Sequence, residues 1–453
     1  MTEPKNFLRE KPIEFNRTFK FDQRLFAADI RVSLAYCDAL FQAGVVTRLE
    51  SERIKNGLQA ILKRAEFDRN YFDENGAAAD VHSFIEIRLI GLIGDAGEKI
   101  NVGRSRHEQS ATALRFWLRE EIERIAEHLR ELQSALIEAG ERQKEAILPA
   151  YVNSQKAQPI LWAHWCLAYY EMFSRDRERL DEVWRRVNVM PLGAGVLAGT
   201  AFEIDREEIA RALNFEGIAA NSLDAVADRD FAIEFLAACA LLMTHLARLA
   251  EDLILYSSAE FGFVEMSANP DNLQIVRGKV GRVFGHQFAM LSTMKNLPLG
   301  IHKDLREAEE AIFDSVDTMK FCLKTMEHAL ENLRIDEEKT REAATRGYLN
   351  ADDLADYLIQ RNVPVSVAKR TVAEIISYAI SQKKELGELS LKEMRQFSES
   401  IADDIHQALS LEQTLAGKNQ IGGTAPEGVF EALEQAKTEI EREEKESTSF
   451  KNE

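Results

Sequence analysis

One short segment of the chain combines the residue types that bind carboxylate or phosphate groups. Residues 103–109 read GRSRHEQ and lie immediately before a long helical pattern, so that Arg104 and Arg106 flank Ser105 at a helix N-terminus. Guanidinium groups and free backbone N–H groups would converge there, which predicts a pocket for an anion or a carboxylate. The two arginines could instead bridge acidic neighbours in a structural role, and the segment alone leaves both interpretations open.

A second segment, residues 190–200, reads MPLGAGVLAGT and is rich in glycine. It lacks the lysine and the spacing of a phosphate-binding loop. We therefore interpret it as a connector whose small residues allow close backbone packing.

The histidines outside these segments have surroundings that favour structural roles. His245 falls on an apolar helical seam, and His164 lies between Trp162 and Trp165. Both settings are typical of core histidines. No histidine pair has i, i+4 spacing and no H-E-x-x-H motif occurs, so the sequence does not indicate a metal hydrolase.

Composition excludes several classes of partner and location. The 453 residues include 57 Lys and Arg against 76 Asp and Glu, for a net charge of −19. Because an acidic surface repels phosphate backbones and anionic lipid, we expect neither nucleic acid nor a membrane as partner. The four cysteines form no C-x-x-C pair, which favours a reducing cytoplasm. We see no secretory signal, and the longest apolar run, 235–243, is too short to span a bilayer.

Helical periodicity dominates the chain and predicts an all-α fold. Phe231, Phe235, Ala238 and Leu242 repeat at spacings of four and three, the pattern of a helix packed lengthwise in a bundle. No β-rich stretch is evident, and only 9 prolines interrupt the chain. Related patterns predict long helices at 107–144, 160–187, 221–263, from 273 onwards, and at 305–333.

The apolar faces of these helices predict an oligomer. Five long helices that are apolar on more than one face bury poorly in one narrow bundle, so we expect other subunits to cover them. Shorter helices flank this core. We predict an N-terminal helical domain at 1–105, a central long-helix bundle at 106–346 and a small C-terminal helical domain at 347–453.

Segments spread over nearly the whole chain make it resemble the argininosuccinate lyases of the fumarase/aspartase superfamily. Each match is weak alone, but all occur in order and at similar spacing. The segments are DVH at 80–82, NVGRSR at 101–106, AQP at 157–159, RDRERL at 175–180, MPLGAGVLAGT at 190–200, NSLDAVADRDF at 221–231, RLAEDLI at 248–254, EFGFV at 260–264, RGKVGRVFG at 277–285, KDL at 303–305, DYL at 356–358 and GGTA at 422–425.

The resemblance implies a fold, an assembly and a reaction. The fold is a three-domain, all-α homotetramer with a central twenty-helix bundle, in which three subunits build each active site. The reaction is the reversible elimination of fumarate from argininosuccinate, which leaves arginine and serves arginine biosynthesis. A base removes the proton beside a carboxylate, and an acid protonates the leaving nitrogen. The resemblance implies no metal and no organic cofactor.

The chain departs from the family at the positions that handle protons. Residues 151–159 read YVNSQKAQP, so that Asn153 replaces the family's catalytic histidine and Val152 replaces an adjacent threonine. Gln274 stands where the family has the glutamate that partners this histidine. Neither amide titrates near neutrality, so both catalytic positions have lost their proton chemistry.

The family's mobile loop, which carries the serine proposed as base, is shortened. Residues 264–271 read VEMSANPD, and only the last three match the family signature. Ser267 is the remaining candidate base in this stretch. Each missing residue removes up to ~3.5 Å of reach, so we do not expect Ser267 to replace the family serine.

Substrate-binding positions are partly kept and partly changed in charge. The family's Gln and Lys after KDL correspond to Arg306 and Glu309, and its Arg-Asn-Asp becomes Arg106-His107-Glu108. His107 is also the one residue here whose imidazole could replace the missing base. By resemblance, the substrate-binding residues are Thr18, Ser105, Arg106, His107, Asn269, Lys303 and Arg306.

Three functions are compatible with this pattern. The first is a working argininosuccinate lyase, and the second is a lyase for another substrate. The third is a catalytically silent family member with a binding, structural or subunit role, which could form hetero-oligomers with a complete paralogue. In each case we expect a dicarboxylate or argininosuccinate-like ligand. Residues that act as a unit lose function together, so the clustered losses favour the third function.

Overall fold

The computed structural model describes residues 18–68, 70–73, 78–266 and 269–452. These residues are predominantly helical, as the sequence predicts. The helices are α1 (Phe19–Asp22), α2 (Phe26–Gln42), α3 (Arg48–Phe67), α4 (Val81–Ile93), α5 (Arg106–Arg142), α6 (Trp162–Val187), α7 (Arg206–Ala212), α8 (Ser222–Ala227), α9 (Asp230–Ser257), α10 (Pro270–Met294), α11 (Glu307–Glu331), α12 (Glu337–Thr345), α13 (Ala351–Gln360), α14 (Val365–Gln382), α15 (Leu391–Arg395), α16 (Ile405–Ala408), α17 (Leu411–Ala416) and α18 (Pro426–Asn452).

Short 3-10 helices and strands complete the described secondary structure. The 3-10 segments are Gln23–Leu25, Gly94–Asn101, Lys303–Arg306 and Leu386–Glu388. The strands are β1 (Ile147–Val152), β2 (Gln155–Leu161), β3 (Val189–Met190), β4 (Gly217–Ile218), β5 (Val264–Glu265) and β6 (Arg334–Ile335).

The five predicted long helices are present as α5, α6, α9, α10 and α11, but the helix predicted at 221–263 is broken. α8 ends before Asp228, whose side chain accepts a hydrogen bond from the backbone N–H of Asp230 at 2.7 Å and so starts α9. Capping by an aspartate of this kind begins a new helix. The break leaves Arg229 between the two helices, which is important for the site described below.

The strands form three two-stranded pairs that the sequence does not reveal. β1 and β2 are antiparallel and joined by only Asn153 and Ser154, with Val152 opposite Gln155. β3 pairs with β4 in parallel, and β5 pairs with β6 in antiparallel. Strands β3 to β6 have 2 residues each, too few for a period-two pattern to be visible in the sequence, whereas β1 and β2 have 6 and 7 residues and were missed by the sequence analysis.

The chain divides into two compact units. Unit 1 contains Met1–Glu127, Asp176–Met243 and Val280–Lys320, and unit 2 contains the remaining residues. All boundaries between them fall inside the five long helices. The division into domains at 1–105, 106–346 and 347–453 stays a prediction.

Each unit has apolar clusters of its own. In unit 1, the rings of Phe19, Phe26, Tyr71, Phe72 and Phe84 pack with centroids 5.0 to 6.4 Å apart. Aromatic pairs at these separations add to the free energy gained by burial. In unit 2, one cluster extends from Leu354 to Leu409, and another joins residues between Ile137 and Ile440.

Among the described residues, α9 is the one helix that is long and apolar enough to cross a membrane by length and composition alone. However, 56% of its most apolar stretch is buried within the protein. Such burial is typical of a core helix.

Helix α10 presents large apolar side chains to solvent on one face of unit 1. Phe284, Phe288 and Leu291 are 45%, 74% and 46% exposed and follow the i, i+4, i+7 spacing of a single helix face. Exposed apolar patches of this kind mark interaction surfaces. We infer that another subunit covers them.

We therefore expect the purified protein to form a tetramer, and Phe288→Glu to weaken its assembly because the new carboxylate would have to be buried. Light scattering at micromolar concentration measures both. The exposed residue Leu49 on α3 provides a matched control, since Leu49→Glu should leave the mass unchanged. A uniform mass near 51 kDa for the unmodified chain would contradict this prediction.

Candidate active site

A cavity of about 410 Å³ in unit 1 collects most of the predicted binding residues. The predicted residues in its lining are Thr18, Arg106, His107, Lys303 and Arg306. The other lining residues are Asp22, Leu25, Asp29, Asp80, Val81, His82, Ser110, Val226, Arg229, Ile301, His302, Leu305 and Glu309. The lining therefore contains four Arg or Lys side chains and four Asp or Glu side chains, so it is not simply cationic.

The start of α5 is fixed by a reciprocal pair of side-chain contacts. The carboxylate of Glu108 accepts from the backbone N–H of Ser105 at 2.7 Å, and the Ser105 hydroxyl accepts from the Glu108 N–H at 3.3 Å. The second Glu108 oxygen accepts from the backbone N–H of Gly195 at 2.8 Å, and Ser105 Oγ donates to the Gly195 carbonyl at 2.7 Å. A capping box thus binds the glycine-rich connector directly to the first turn of α5.

Glycine is required in this connector. Gly195 has φ +62°, and a Cβ there would lie 2.3 Å from the carbonyl oxygen of Gly199. The interpretation of residues 190–200 as a close-packing connector is confirmed. Ser105, predicted to bind substrate, directs its hydroxyl to this connector, and its role toward a ligand stays a prediction.

The two arginines of the GRSRHEQ segment have different roles. Arg104 donates to Gln109 at 2.7 Å, to Ser33 at 3.2 Å and to Asn101 at 3.1 Å, so its guanidinium is satisfied inside the fold. Arg106 instead lines the cavity and donates to Asp80 at 3.1 Å. Arg104 therefore has a structural role, whereas Arg106 pairs with an acidic neighbour and also lines the cavity, and its binding of an anion stays a prediction.

Asp80 organises the cationic side of the cavity. Its carboxylate caps α4 by accepting from the N–H of Ser83 at 2.9 Å, and it lies 3.1 Å from Arg106 and 3.7 Å from Arg306. Burial opposes ionisation of Asp80, but the Ser83 hydrogen bonds and the charge of Arg106 outweigh it and lower the pKa. The two guanidinium groups are thus held side by side by one carboxylate.

His107 and Lys303 complete the predicted part of the lining. Desolvation and the charges of Arg306 and Arg106 lower the pKa of His107, so its ring is neutral near pH 7. Lys303 is exposed, and its amine forms no ion pair within the part of the chain that the structure describes. It is available to an anionic ligand.

Asp22 is a site residue that the sequence analysis missed. Its carboxylate accepts from the Thr18 hydroxyl at 2.7 Å and from the N–H of Val81 at 3.0 Å. Burial, together with the negative charges of Glu309 and Asp80, raises the pKa of Asp22 to about 7. The sequence does show that Asp22 lies four residues after Thr18, a spacing at which two side chains on a helix can form a hydrogen bond. The spacing does not show that the Asp22 carboxylate is buried.

Glu309 and Arg229 are two further buried charged groups in the cavity lining. Glu309 is 8% exposed and accepts from the Ser110 hydroxyl at 3.2 Å, while Arg229 is 7% exposed. Desolvation raises the pKa of Glu309 despite the opposing charge of Arg229. The sequence analysis named Glu309 only as a position where the family's lysine is replaced by a residue of opposite charge. It did not predict the break between α8 and α9 that places Arg229 in the cavity lining.

Asn153 lies outside unit 1, at the tip of the β1–β2 hairpin in unit 2. Asn153 and Ser154 have φ of 50° and 61°, and both are exposed. A two-residue hairpin loop with positive φ at both positions favours Asn, which adopts this conformation more readily than most residues. The local geometry of the hairpin is therefore compatible with the amide at the position of the family histidine.

The remaining predicted residues also belong to unit 2 or lie outside the described residues. Gln274 is exposed on α10, and Asn269 is exposed and caps the same helix by accepting from the N–H of Asp271 at 3.0 Å. Ser267 lies outside the described residues. Among the described residues, the cavity lining therefore includes predicted binding positions of unit 1, and it does not include Asn153, Asn269 or Gln274.

The raised pKa of Asp22 generates a test by pH. With this raised pKa, the folded protein keeps the proton at pH values where the unfolded chain, with the ordinary pKa of 3.8, has lost it. The free energy of unfolding therefore falls as pH rises from 3.8 to about 7. Asp22→Asn keeps the shape and cannot ionise: its amide oxygen can accept from the Val81 N–H and its amide nitrogen can donate to the Thr18 hydroxyl. We therefore expect the free energy of unfolding of Asp22→Asn, relative to that of the unmodified protein, to increase between pH 5 and pH 8.

Thermal unfolding at both pH values measures this difference. Asp304→Asn, at an exposed carboxylate, is the control and should show no such trend. A difference between Asp22→Asn and the unmodified protein that does not vary with pH would show that Asp22 does not titrate in this range.

Comparison with known proteins identifies the family. The family profile described as "Lyase" matches residues 12–285, and the one described as "Argininosuccinate lyase C-terminal" matches residues 348–416. The chain is 44% identical to the argininosuccinate lyase of Desulforudis audaxviator, with 95% of this chain and 96% of that protein covered. It is 42% identical to the argininosuccinate lyase of Pelotomaculum thermopropionicum, covering 94% and 95%.

A solved structure shows the same fold. An EDDS lyase variant with bound fumarate superposes with a TM-score of 0.83 at 23% identity, covering 95% of this chain and 89% of that one. Together with the family profiles and the curated relatives, this agreement shows that the chain belongs to the argininosuccinate lyase family of the fumarase/aspartase superfamily, with its all-α fold.

Proposed function

We propose that this protein binds a carboxylate ligand in the unit 1 cavity but cleaves argininosuccinate far more slowly than an ordinary family member. The observation that carries the proposal is the pair of neutral amides, Asn153 and Gln274, at the positions of the family histidine and its glutamate partner. Binding and proton transfer use different groups, so the first can persist after the second is lost.

The geometry of the hairpin supports the loss of the base. Asn153 has no titrating group, and its amide sits in a backbone conformation that the local turn favours. Val152 beside it is 60% exposed and has no hydroxyl. The positions of the family histidine and threonine therefore offer neither a base nor a hydroxyl, and the one hydroxyl at the exposed two-residue tip belongs to Ser154.

The connection between α9 and α10 supports the loss of the mobile serine loop. Twelve residues, 258–269, separate the end of α9 at Ser257 from the start of α10 at Pro270. Val264 and Glu265 within it pair with Ile335 and Arg334 on β6. The four residues 266–269 then remain before the helix, which is too short a segment for a long mobile loop.

The proposal extends to assembly and location. A cytoplasmic homotetramer, with domains at 1–105, 106–346 and 347–453, would bring the unit 1 cavity of one subunit to the exposed Asn153 and Gln274 of others. A hetero-oligomer with a complete paralogue would place a working histidine at some of these sites. The exposed apolar face of α10 supports the assembly part of this proposal.

One observation favours a second candidate, an active lyase for argininosuccinate or a related substrate with a relocated base. His107 lines the cavity and is neutral near pH 7, so its ring nitrogen is free to accept a proton. Asp22, with its pKa of about 7, is a further proton carrier in the same cavity.

We expect the purified protein, free of host lyase, to release fumarate from argininosuccinate at least ~10³-fold more slowly than an ordinary family member. One positioned acid or base contributes ~10²–10⁴-fold, and two are missing here. Fumarate absorbance measures the rate. Asn153→His with Gln274→Glu and a restored serine loop should recover part of it.

Two results would decide against this proposal. An ordinary family rate would show that the chemistry survives. If His107→Ala then abolished that rate, the base would have moved to the unit 1 cavity and the second candidate function would be correct.

We also expect argininosuccinate to bind without turnover, and Arg106→Ala to weaken that binding by about 10- to 100-fold because a charge-assisted contact is removed. Calorimetry measures the affinity. Arg48→Ala, on exposed α3, is a matched control and should leave it unchanged. Equal affinities for the unmodified protein and Arg106→Ala would mean that the cavity is not the binding site.

A further inference from the structure

Glu309 occupies an unusual position for a group in a carboxylate-binding cavity. It lies in the first turn of α11, lines the cavity and is only 8% exposed. One of its carboxylate oxygens accepts from Ser110, and in the described part of the chain the other oxygen has no hydrogen-bond donor. A buried carboxylate with an open oxygen directed at a cavity is a strong acceptor for a cation.

The nearest opposite charge does not satisfy Glu309. Arg229 donates instead to the backbone carbonyl of Asp228 at 2.7 Å, and its Nε has no hydrogen-bond partner among the described residues. The two groups therefore attract each other by charge, but no hydrogen bond joins them among the described residues. Glu309 thus keeps an acceptor site for the cationic group of a ligand.

The cavity lining carries charges of both signs. Arg106 and Arg306 both lie near Asp80, and Lys303 belongs to the same set of cations. Glu309 and Asp22 influence each other by like charge and form an acidic set. A ligand that carries only carboxylates matches the first set but meets repulsion at the second.

We propose that Glu309 is a specificity-determining residue that binds a cationic nitrogen, so that the cavity selects dicarboxylates bearing an amine or amidinium group over plain dicarboxylates. This inference rests on the proposed function, because it assumes that the unit 1 cavity is the ligand site. The carboxylates of such a ligand pair with Arg106, Arg306 and Lys303, and its nitrogen donates to the open oxygen of Glu309.

Succinate and L-aspartate provide a matched pair of probes, since they differ only in the ammonium group. A hydrogen bond to a charged partner contributes about 1.5–3 kcal/mol, so we expect aspartate to bind about 10- to 100-fold more tightly than succinate. Calorimetry on the full-length assembled protein measures both affinities. The ratio of the two affinities, rather than either value, is the readout.

Three variants test the role of Glu309. Glu309→Gln should reduce the ratio to about 1–3, because the neutral amide keeps the size but not the charge. Glu309→Lys should invert the preference and strengthen succinate binding. Glu310→Gln, at the exposed neighbour on the same helix, should leave the ratio unchanged.

The outcomes separate this inference from the proposed function. Equal affinity for both probes, or a preference that persists in Glu309→Gln while succinate still binds, overturns the role of Glu309 and leaves the binding function intact. Failure of both probes and of argininosuccinate to bind the unmodified protein overturns the proposed function, and this inference with it. Retained succinate binding by Glu309→Gln also shows that the variant is folded.

Discussion

The reciprocal contact between Ser105 and Glu108 is the constraint on which the site depends. It starts a helix of 37 residues at a fixed position and ties that start to the Gly195 turn. Arg106 and His107, the next two residues after Ser105, are thereby held at the cavity. Because Glu108 is fully buried and accepts from two backbone N–H groups, a change there would leave both donors unsatisfied inside the protein.

The second constraint is the balance of charge in unit 1. Asp80 holds Arg106 and Arg306 close together, although like charges at this distance would otherwise separate. Glu309 and Asp22 add negative charge that burial partly suppresses, since the pKa values of both are raised. The cavity therefore remains polar but selective, and it differs from an anion site built from cations alone. This balance fits a protein that has kept recognition while losing proton transfer.

Sequence reasoning predicted the parts of the molecule that depend on repeating patterns. The long helices follow from apolar periodicity, and the membership of Arg106, Lys303 and Arg306 in one cavity followed from their family positions. It could not separate Arg104 from Arg106, because the difference lies in partners far along the chain such as Ser33. It also missed the break that places Arg229 in the cavity lining, since no proline interrupts residues 221–263 and the apolar seam used for the prediction begins only at Phe231.

The catalytic positions show why local structure alone does not decide function. The hairpin that carries Asn153 is well formed, with paired strands and a turn that suits its residues, so nothing in its geometry indicates damage. The proposed loss is chemical: an amide occupies the place of the family's imidazole. A fold can be kept by packing whether or not a reaction is kept, because stability and proton transfer depend on different atoms.

A single-turnover experiment tests this account most directly. With the protein in excess over argininosuccinate, every substrate molecule can bind, and a trace of contaminating lyase contributes little. At a typical enzyme rate of ~10 s⁻¹ the substrate would be consumed within one second, whereas a ~10³-fold loss leaves about 99% of it intact. The account predicts argininosuccinate that is bound and unbroken after one second. Complete conversion to fumarate and arginine in that time would contradict it.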